Sequence, residues 1–525
     1  MNDYPTKEFD SEIVVGLVGA VGTEIDPIVK LLRERFQLAG YTSHVIKIST
    51  DIIPEQRPPE PEGTLHYKRI YSLMDAGNQT RESAAKAAIQ KGLVDERLDS
   101  KEEAERLGNA ILATGAAAAI FERRPNAGSE SVERNLPKTV FIIDSLKRPE
   151  EVELLRMTYS DGFVLIGVHA ELERRRRHLI NDLGMTETEA DELLKRDGEE
   201  AQVTYGQRLN KTFHLADFFV SATASSDRLR GDIQRVVEVL FGNPFVTPTF
   251  DEYAMFMAYA AGLRSSDLSR QVGAVITRDR EILSTGANDC PRAGGGLYWQ
   301  ERGRGPEPYF DEPDGRDHVR KKDSNRIEQI EIIHTIVAEI NKNDTLRPHA
   351  EQIEKLLDKS RIRDLTEFGR VVHAEMEALL ACGRNGISTR DATLYCTTFP
   401  CHNCAKHLVA AGVMRVVYVE PYPKSKALEF HTDSIATTPT DDQIGRNRVQ
   451  FEPFVGIGAR RFFDLFSMQL SSGYDLKRKD SSSGQSLTWK IESARLRTQM
   501  NSQSYLVLEA QCRAQFEQIQ AGSQG

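Results

Sequence analysis

Cysteine is scarce in this chain: six in 525 residues, too few and too scattered for a disulfide framework. Two of them fall in one C-x-x-C, which suits reduced thiols and a metal site. Long apolar runs are also missing. No stretch approaches the ~18 uninterrupted apolar residues of a membrane span, and the opening MNDYPTKEFDSE lacks the apolar core of a signal peptide. A cytoplasmic protein with no membrane partner is expected. Nor is there an excess of positive charge: 68 Lys+Arg against 78 Asp+Glu give a net charge of −10. No global attraction therefore draws the chain to a long nucleic acid or an anionic membrane, although small anions can still bind in local pockets. What is present is ordinary globular composition, 39% hydrophobic and 28% charged, which excludes collagen-like, low-complexity and wholly disordered classes. At about 100–200 residues per domain, the length implies two to four domains.

Ile13–Val18 reads as a buried strand, Gly19-Ala20-Val21-Gly22-Thr23 as a glycine loop, and Ile28, Leu31, Leu32 and Phe36 as the apolar stripe of a helix. Strands at 44–48, 139–143 (ending in Asp144), 162–168 and 217–220, with helices at 102–121 and 228–241, continue a parallel α/β alternation. Asp75-Ala76-Gly77-Asn78 has the composition of a turn between helices. A second unit opens with a helix at 248–262 and strands at 273–277 and 282–285. Its polar middle, with helical patterns near 325–341 and 350–358, reads as an insertion. Helix 373–383, strand 392–396, helix 401–411 and strand 416–419 then resume the pattern, and a last helix is expected to carry Leu487, Ile491 and Leu506. The expected domains are 1–245, 246–470 with its insertion at about 292–370, and a helical extension 471–525.

His373-Ala374-Glu375 opens one helix and Pro400-Cys401-His402-Asn403-Cys404 opens another. Zinc takes imidazole and thiolate ligands, and three protein ligands leave its fourth tetrahedral position open. His373, Cys401 and Cys404 are the expected Zn2+ ligands. The two cysteines, three apart on a first helical turn, share a face where the positive helix end favours thiolates. Glu375, two residues from His373, is placed to accept a proton from water without ligating the metal. A closed structural site would need a fourth ligand, for which His402 and His407 are the nearby candidates.

This arrangement resembles the H-x-E…P-C-x-x-C signature of zinc nucleobase deaminases. The resemblance implies hydrolytic deamination, in which water adds at C4 of cytosine. Glu375 carries the proton to ring N3 and then protonates the departing amine, leaving uracil and ammonia. Tyr253–Ser265, Gln271–Ile276 and Ser284–Pro291 together resemble the deoxycytidylate deaminase family, with its three-layer α/β/α fold. There the Asn of a G-x-N segment reaches the sugar, so Asn288, with Arg264 and Ser265 of the lead-in, is a candidate substrate contact. Met376-Glu377 departs from the Asn that often follows H-A-E in that family.

Taken whole, and including Phe454–Asp464, the chain resembles bacterial anti-phage dCTP deaminases, in which an N-terminal P-loop kinase-like domain precedes a deoxycytidylate deaminase domain. That resemblance implies free deoxycytidine nucleotides as substrates, dCTP to dUTP and dCMP to dUMP, with depletion of the pool during infection. It also implies restraint by a regulatory nucleotide or an inhibitory RNA, and a homo-oligomer. Arg292, Arg302, Arg304, Arg320, Lys321 and Lys322 are phosphate-binding candidates, interleaved with Glu301, Glu307, Asp311 and Asp314. A tRNA or single-stranded-DNA editing deaminase, and a housekeeping dCMP deaminase with a regulatory domain, are the alternatives.

The glycine loop has the strand-to-helix context of a P-loop, and Gly16, Gly19, Gly22 and Thr23 are candidate nucleotide contacts through backbone N–H groups. A working Walker A loop places Lys and then Ser/Thr after the last glycine, whereas here Gly22 is followed by Thr23-Glu24. An acid there repels phosphate, so sensing or scaffolding is expected in place of phosphoryl transfer. Asp144 stands either where a Walker B acid would or as the cap of a helix at Pro149. Arg174–Arg177 reads as a solvated helix face or as a lid for phosphate or RNA.

Overall fold

Apolar runs at Ile13–Val18, Val140–Ile143 and Phe163–Ile166 are too continuous for a strand with one wet face, and all of them are buried. They form the centre of a mostly parallel sheet. The computed structural model describes residues 10–53, 61–94, 100–125, 135–200, 204–303, 308–419, 425–437, 448–500 and 502–523. It divides into two compact units, Met1–Glu252 with Val455–Gly525, and Tyr253–Phe454.

The first unit runs β1 (Ile13–Gly19), α1 (Asp26–Leu38), β2 (Thr42–Lys47), α2 (Leu65–Gln90), α3 (Ser100–Glu122), β3 (Thr139–Asp144) and α4 (Pro149–Tyr159). It continues through β4 (Phe163–His169), α5 (Leu172–Arg177), α6 (Glu187–Glu199), α7 (Leu209–Phe213), β5 (Phe218–Ser221) and α8 (Ser226–Leu240). Helix α9 (Phe250–Gly262) leads into the second unit, where β6 (Gly273–Arg278) and β7 (Glu281–Ala287) precede a ribbon of β8 (Glu301–Arg302) and β9 (Tyr309–Phe310). Then come α10 (Asp317–Arg320), α11 (Ser324–Asn341), α12 (Ala350–Asp358), α13 (Ala374–Arg384), β10 (Thr393–Cys396) and α14 (His402–Ala410). β11 (Arg415–Tyr418), α15 (Ala427–Phe430), β12 (Ile435–Ala436) and β13 (Val449–Pro453) complete that unit. The chain returns to the first unit through β14 (Gly456–Ile457), α16 (Phe462–Phe466) and α17 (Ser502–Ser523).

The first sheet has the order β14-β5-β4-β1-β3-β2, parallel except for β14. Helices α1 and α8 bury Leu32, Phe36, Ile233 and Val237 against Val15, Leu17, Ile142 and Val164. The second sheet has the order β12-β13-β11-β10-β6-β7, with β6 antiparallel to both neighbours and β10, β11 and β13 parallel.

Three expectations are corrected. Asp75–Asn78 is no turn but the middle of α2: Asp75 pairs with Arg196, Asn78 with Glu200 and Arg81, and Gly77 lies near Ile53 and Leu112. Tertiary partners thus absorb the polar groups that suggested a break. Leu487 and Ile491 precede the last helix and do not lie in it; Ile491 packs singly on the core of the first unit instead of repeating at helical spacing. Residues 455–470, expected with the second domain, lie with the first, because β14 pairs with β5 and Ile457 and Leu465 enter its core.

Helix α17 is held by a buried ionic cluster. Arg124 donates to Glu12 at 2.8 and 2.9 Å and to Glu509 at 2.6 and 2.8 Å, and the Tyr505 hydroxyl donates to Glu12. Burial pushes the Glu509 carboxyl up to about 6 despite the arginine. Arg124→Leu would leave two buried carboxylates facing each other, and denaturant unfolding should show a loss of about 3–5 kcal/mol. An unchanged midpoint would assign the cluster no net role in stability.

Candidate metal centre and substrate pocket

The pairing of β10 sets the site. Cys396 stands opposite Ala274 of β6 and Tyr418 of β11, so the chain leaving β10 passes through Thr397 to Pro400 and enters α14 at Cys401, its N-cap. Thr397 clamps that passage: its N–H donates to Gly273 O at 3.0 Å and its hydroxyl accepts from Gly273 N at 3.1 Å. His373, the N-cap of α13, is fixed by the bridge before it, where Val372 N donates to Asp289 O at 3.0 Å. Helix α13 lies so near β7 that a Cβ on Gly286 would sit 2.1 Å from Ala374 O and 2.6 Å from Ala378 N. Only glycine allows that approach.

Two helix N-termini therefore converge. His373 Nδ1 lies 3.4 Å from Cys401 Sγ and 3.4 Å from Cys404 Sγ, and the three ligand atoms fall within 4.8 Å of one another. A tetrahedral zinc with ordinary bond lengths would set N···S edges of about 3.5 Å, so the residues fit the metal. The Cys401 thiol is pushed down to about 3, chiefly because the Cys404 thiol donates to it, while Cys404 is pushed up by the same contact. The sulfurs share a proton, and a divalent cation in its place would take both as thiolates. His402 and His407 do not join: His402 stands edge-on to Phe430, and His407 Nδ1 is 2.6 Å from Asn403 O. Among the described residues no fourth His, Cys, Asp or Glu completes this cluster.

Glu375 is 3% exposed, and burial pushes its carboxyl up. It interacts with the Cys404 thiol and with Cys396, a buried neighbour that the motif did not single out. Glu375, His373 and Cys401 line a pocket of about 270 Å3 together with Asn288, Arg270 and Arg370. Asn288 also staples the loop: its Oδ1 accepts from Val272 N at 2.6 Å and its Nδ2 donates to Arg270 O at 2.8 Å. Ser265 stands behind it, donating to Asn288 O at 2.5 Å. Arg264 lies in a neighbouring cavity, its guanidinium 3.5 Å over Trp299.

The expected phosphate contacts are displaced. Arg292, Arg302, Arg320, Lys321 and Lys322 are exposed and do not line the pocket: Arg302 lies on the β8–β9 ribbon, Arg292 before it lines the neighbouring cavity with Arg264, and Arg320 ends α10 ahead of Lys321 and Lys322. Arg304 and Glu307 lie outside the described residues. The pocket's cations are Arg270, exposed, with its charge felt at His373, and Arg370, held by Asp317 at 2.7 Å. Arg370 comes from the end of the insertion, and nothing in its local sequence marks it.

In the first unit the glycine loop is occupied by its own chain. Val21 N donates to Asp197 at 3.1 Å, Lys147 Nζ donates to Gly19 O, and Glu24 pairs with Arg174 at 2.6 Å. Gly16 lies inside β1, where a Cβ would meet Leu146 at 2.8 Å; Gly22, at φ +82°, makes the turn beside Arg175 O, and Thr23 N donates to Ala20 O. Arg175 and Arg176 of the arginine run likewise face Asp197, Glu187 and Asp191. Asp144 does not cap α4, whose N-cap is Arg148 with Glu151 closing the box. Glu24, His178 and Asp182 form a second ligand-like cluster, but Arg174 already neutralises Glu24.

Metal analysis should find zinc lost from Cys401→Ala and retained in His402→Ala. Stoichiometric zinc in the first variant would remove Cys401 from the ligand set.

Residues 248–420 match the family model described as the cytidine and deoxycytidylate deaminase zinc-binding region. Deoxycytidylate deaminase of Saccharomyces cerevisiae is 27% identical over 179 residues, 34% of this chain and 40% of the yeast protein. The deoxycytidylate deaminase of Enterobacteria phage T4 is 29% identical over 175 residues, 32% of this chain and 77% of the phage protein. A dCMP deaminase from cyanophage S-TIM5, solved in complex with dCMP and dUMP, aligns at 19% identity and a TM-score of 0.21 over 40% of this chain and 100% of that one. Residues 248–420, within the second unit apart from their first few positions, are thus similar to the zinc-binding region of cytidine and deoxycytidylate deaminases.

Proposed function

We propose that the protein hydrolytically deaminates free deoxycytidine nucleotides, dCTP and dCMP, to the corresponding deoxyuridine nucleotides and ammonia. What supports this reading is a fully buried carboxylate, Glu375, beside a His-Cys-Cys donor set in a pocket that also holds two arginines. Zinc held by His373, Cys401 and Cys404 supplies Lewis-acid activation of water. Glu375 accepts one proton of the attacking water and delivers it to ring N3 as the C4–O bond forms, then takes the proton of the new C4 hydroxyl and gives it to the amine as the C4–N bond breaks and the C4 carbonyl forms. A carboxyl whose burial raises its pKa suits both directions of transfer. Arg270 and Arg370 take the phosphates, and Asn288 keeps the pocket wall in register while offering its amide edge to the sugar.

In the cell we read this turnover as emptying the deoxycytidine pool that a replicating phage needs, in an oligomeric, cytoplasmic enzyme restrained by a nucleotide or an RNA. The first unit, with its P-loop kinase-like strand order and no loop lysine, is the sensor in this reading and not a kinase. Pool measurements during infection, with Glu375→Ala as control, test the cellular role.

Incubation with dCTP, dCMP and a deoxycytidine oligonucleotide separates the readings: uracil should appear in the free nucleotides. Uracil formed only in the oligonucleotide would move the reading to nucleic-acid editing. Glu375→Ala should lose about 10²–10⁴-fold in turnover while keeping its zinc. Arg270→Ala and Arg370→Ala should each raise KM for dCMP by about tenfold or more and leave deoxycytidine unaffected, since only a charged contact to phosphate is lost. An equal effect on deoxycytidine would make them structural.

A further inference from the structure

The first unit contains a cavity of about 190 Å3 that the glycine loop does not explain. It is lined by residues that follow β1, β2 and β3, namely Val21, Ile48 and Asp144, so it opens at the carboxyl ends of these strands. In the order β4-β1-β3-β2, the connection from β1 runs toward β2 and that from β3 runs back toward β4. The cavity therefore lies at the topological switch point, where open α/β sheets bind ligands.

Its lining is two-sided. Ile53, Ile70, Leu73, Met74 and Leu112 form an aliphatic wall, and no aromatic ring among the described residues lines it. The polar part of the lining is Asp144, Gln207, Arg81 and Lys147, the last also donating to Gly19 O. Gln207 is 7% exposed and its Oε1 has no hydrogen-bond partner; Arg81 is 3% exposed and its Nε has none. The Asp144 side chain makes no hydrogen bond among the described residues, and burial pushes its carboxyl up against the charges of Lys47 and Lys147. Buried groups of this kind are normally satisfied. Acceptors at Gln207 and Asp144 and donors at Arg81 and Lys147, beside an aliphatic wall, suit a flat ring whose edge carries one N–H between two carbonyls. A dry cavity of about 150 Å3 accepts a benzene, so this one has room for one substituted six-membered ring and not for a fused pair.

Gly77 of α2 lines the same space, and a Cβ there would meet only ordinary contacts, the nearest being Arg81 at 3.6 Å, Ile53 at 3.7 Å and Leu112 at 4.0 Å. The anion position of the glycine loop, by contrast, already holds Asp197. Binding should therefore be led by the ring and not by a phosphate.

We propose that this cavity receives the base of a pyrimidine nucleoside, with the base edge on Gln207, Asp144, Arg81 and Lys147 and the ring against Met74 and Leu112. It is independent of the zinc pocket.

Calorimetric titration of thymidine, which has no amine to lose, into the full-length protein tests it. One saturable site should appear and persist in Cys401→Ala. In Gly77→Leu, a change that favours the helix while filling the cavity, affinity should fall at least about tenfold. Gln207→Leu, which removes the acceptor, should fall by a similar about tenfold. Circular dichroism identical to the parent shows that these variants fold. Absence of saturable thymidine binding, or binding equal to the parent in both cavity variants, would overturn the proposal. So would preferential binding of deoxyadenosine, or of inorganic triphosphate in a manner abolished by Gly22→Val.

Discussion

The second unit depends on the approach of α13 to β7, where Ala374 O rests over Gly286 with no room for a methyl group. That contact fixes where His373 and Glu375 emerge, and the bridge between Val372 and Asp289 fixes it from the other side. Cys401 and Cys404 arrive through a different constraint, the pairing of β10 between β6 and β11. Rigid strands and helix starts, not loops, therefore hold all three ligand atoms, which keeps a charged donor set in order at a partly buried place.

Electrostatics in the two units follow opposite logic. At the zinc-type site, two helix N-termini and two thiols leave one negative charge shared between sulfurs, a state that a cation resolves. In the first unit the acids and bases neutralise one another. Asp197 takes the N–H that a phosphate would take, Arg174 takes Glu24, and Arg124 spans Glu12 and Glu509. The glycine loop there is spent on internal contacts, and the remaining room lies beside it.

Much of the fold was legible in the sequence because strand and helix periods are local properties. The strands at 139–143 and 273–277, and the helices at 325–341 and 350–358, match observed elements to within a residue or two. The break expected at Asp75–Asn78 was not there, since the polar residues that suggest a turn can equally be paired across to another helix. Ile491 shows the same limit from the apolar side: a side chain can pack on a distant core without belonging to any periodic element.

For the site, the sequence by itself determined the donor set, since His373, Glu375, Cys401 and Cys404 are distinctive in type and spacing within two helix starts. Tertiary structure alone decided which cations face the pocket. Arg270 and Arg370 are 100 positions apart and reach it from separate loops, while the conspicuous basic cluster between Arg292 and Lys322 points elsewhere. It also decided that Asn288 and Ser265 are bound into the wall, and that an acid from α6 fills the glycine loop. The physical reason is the same each time: ligand chemistry is written in residue type and local spacing, whereas charge pairing is settled by what the rest of the chain brings within about 3–4 Å.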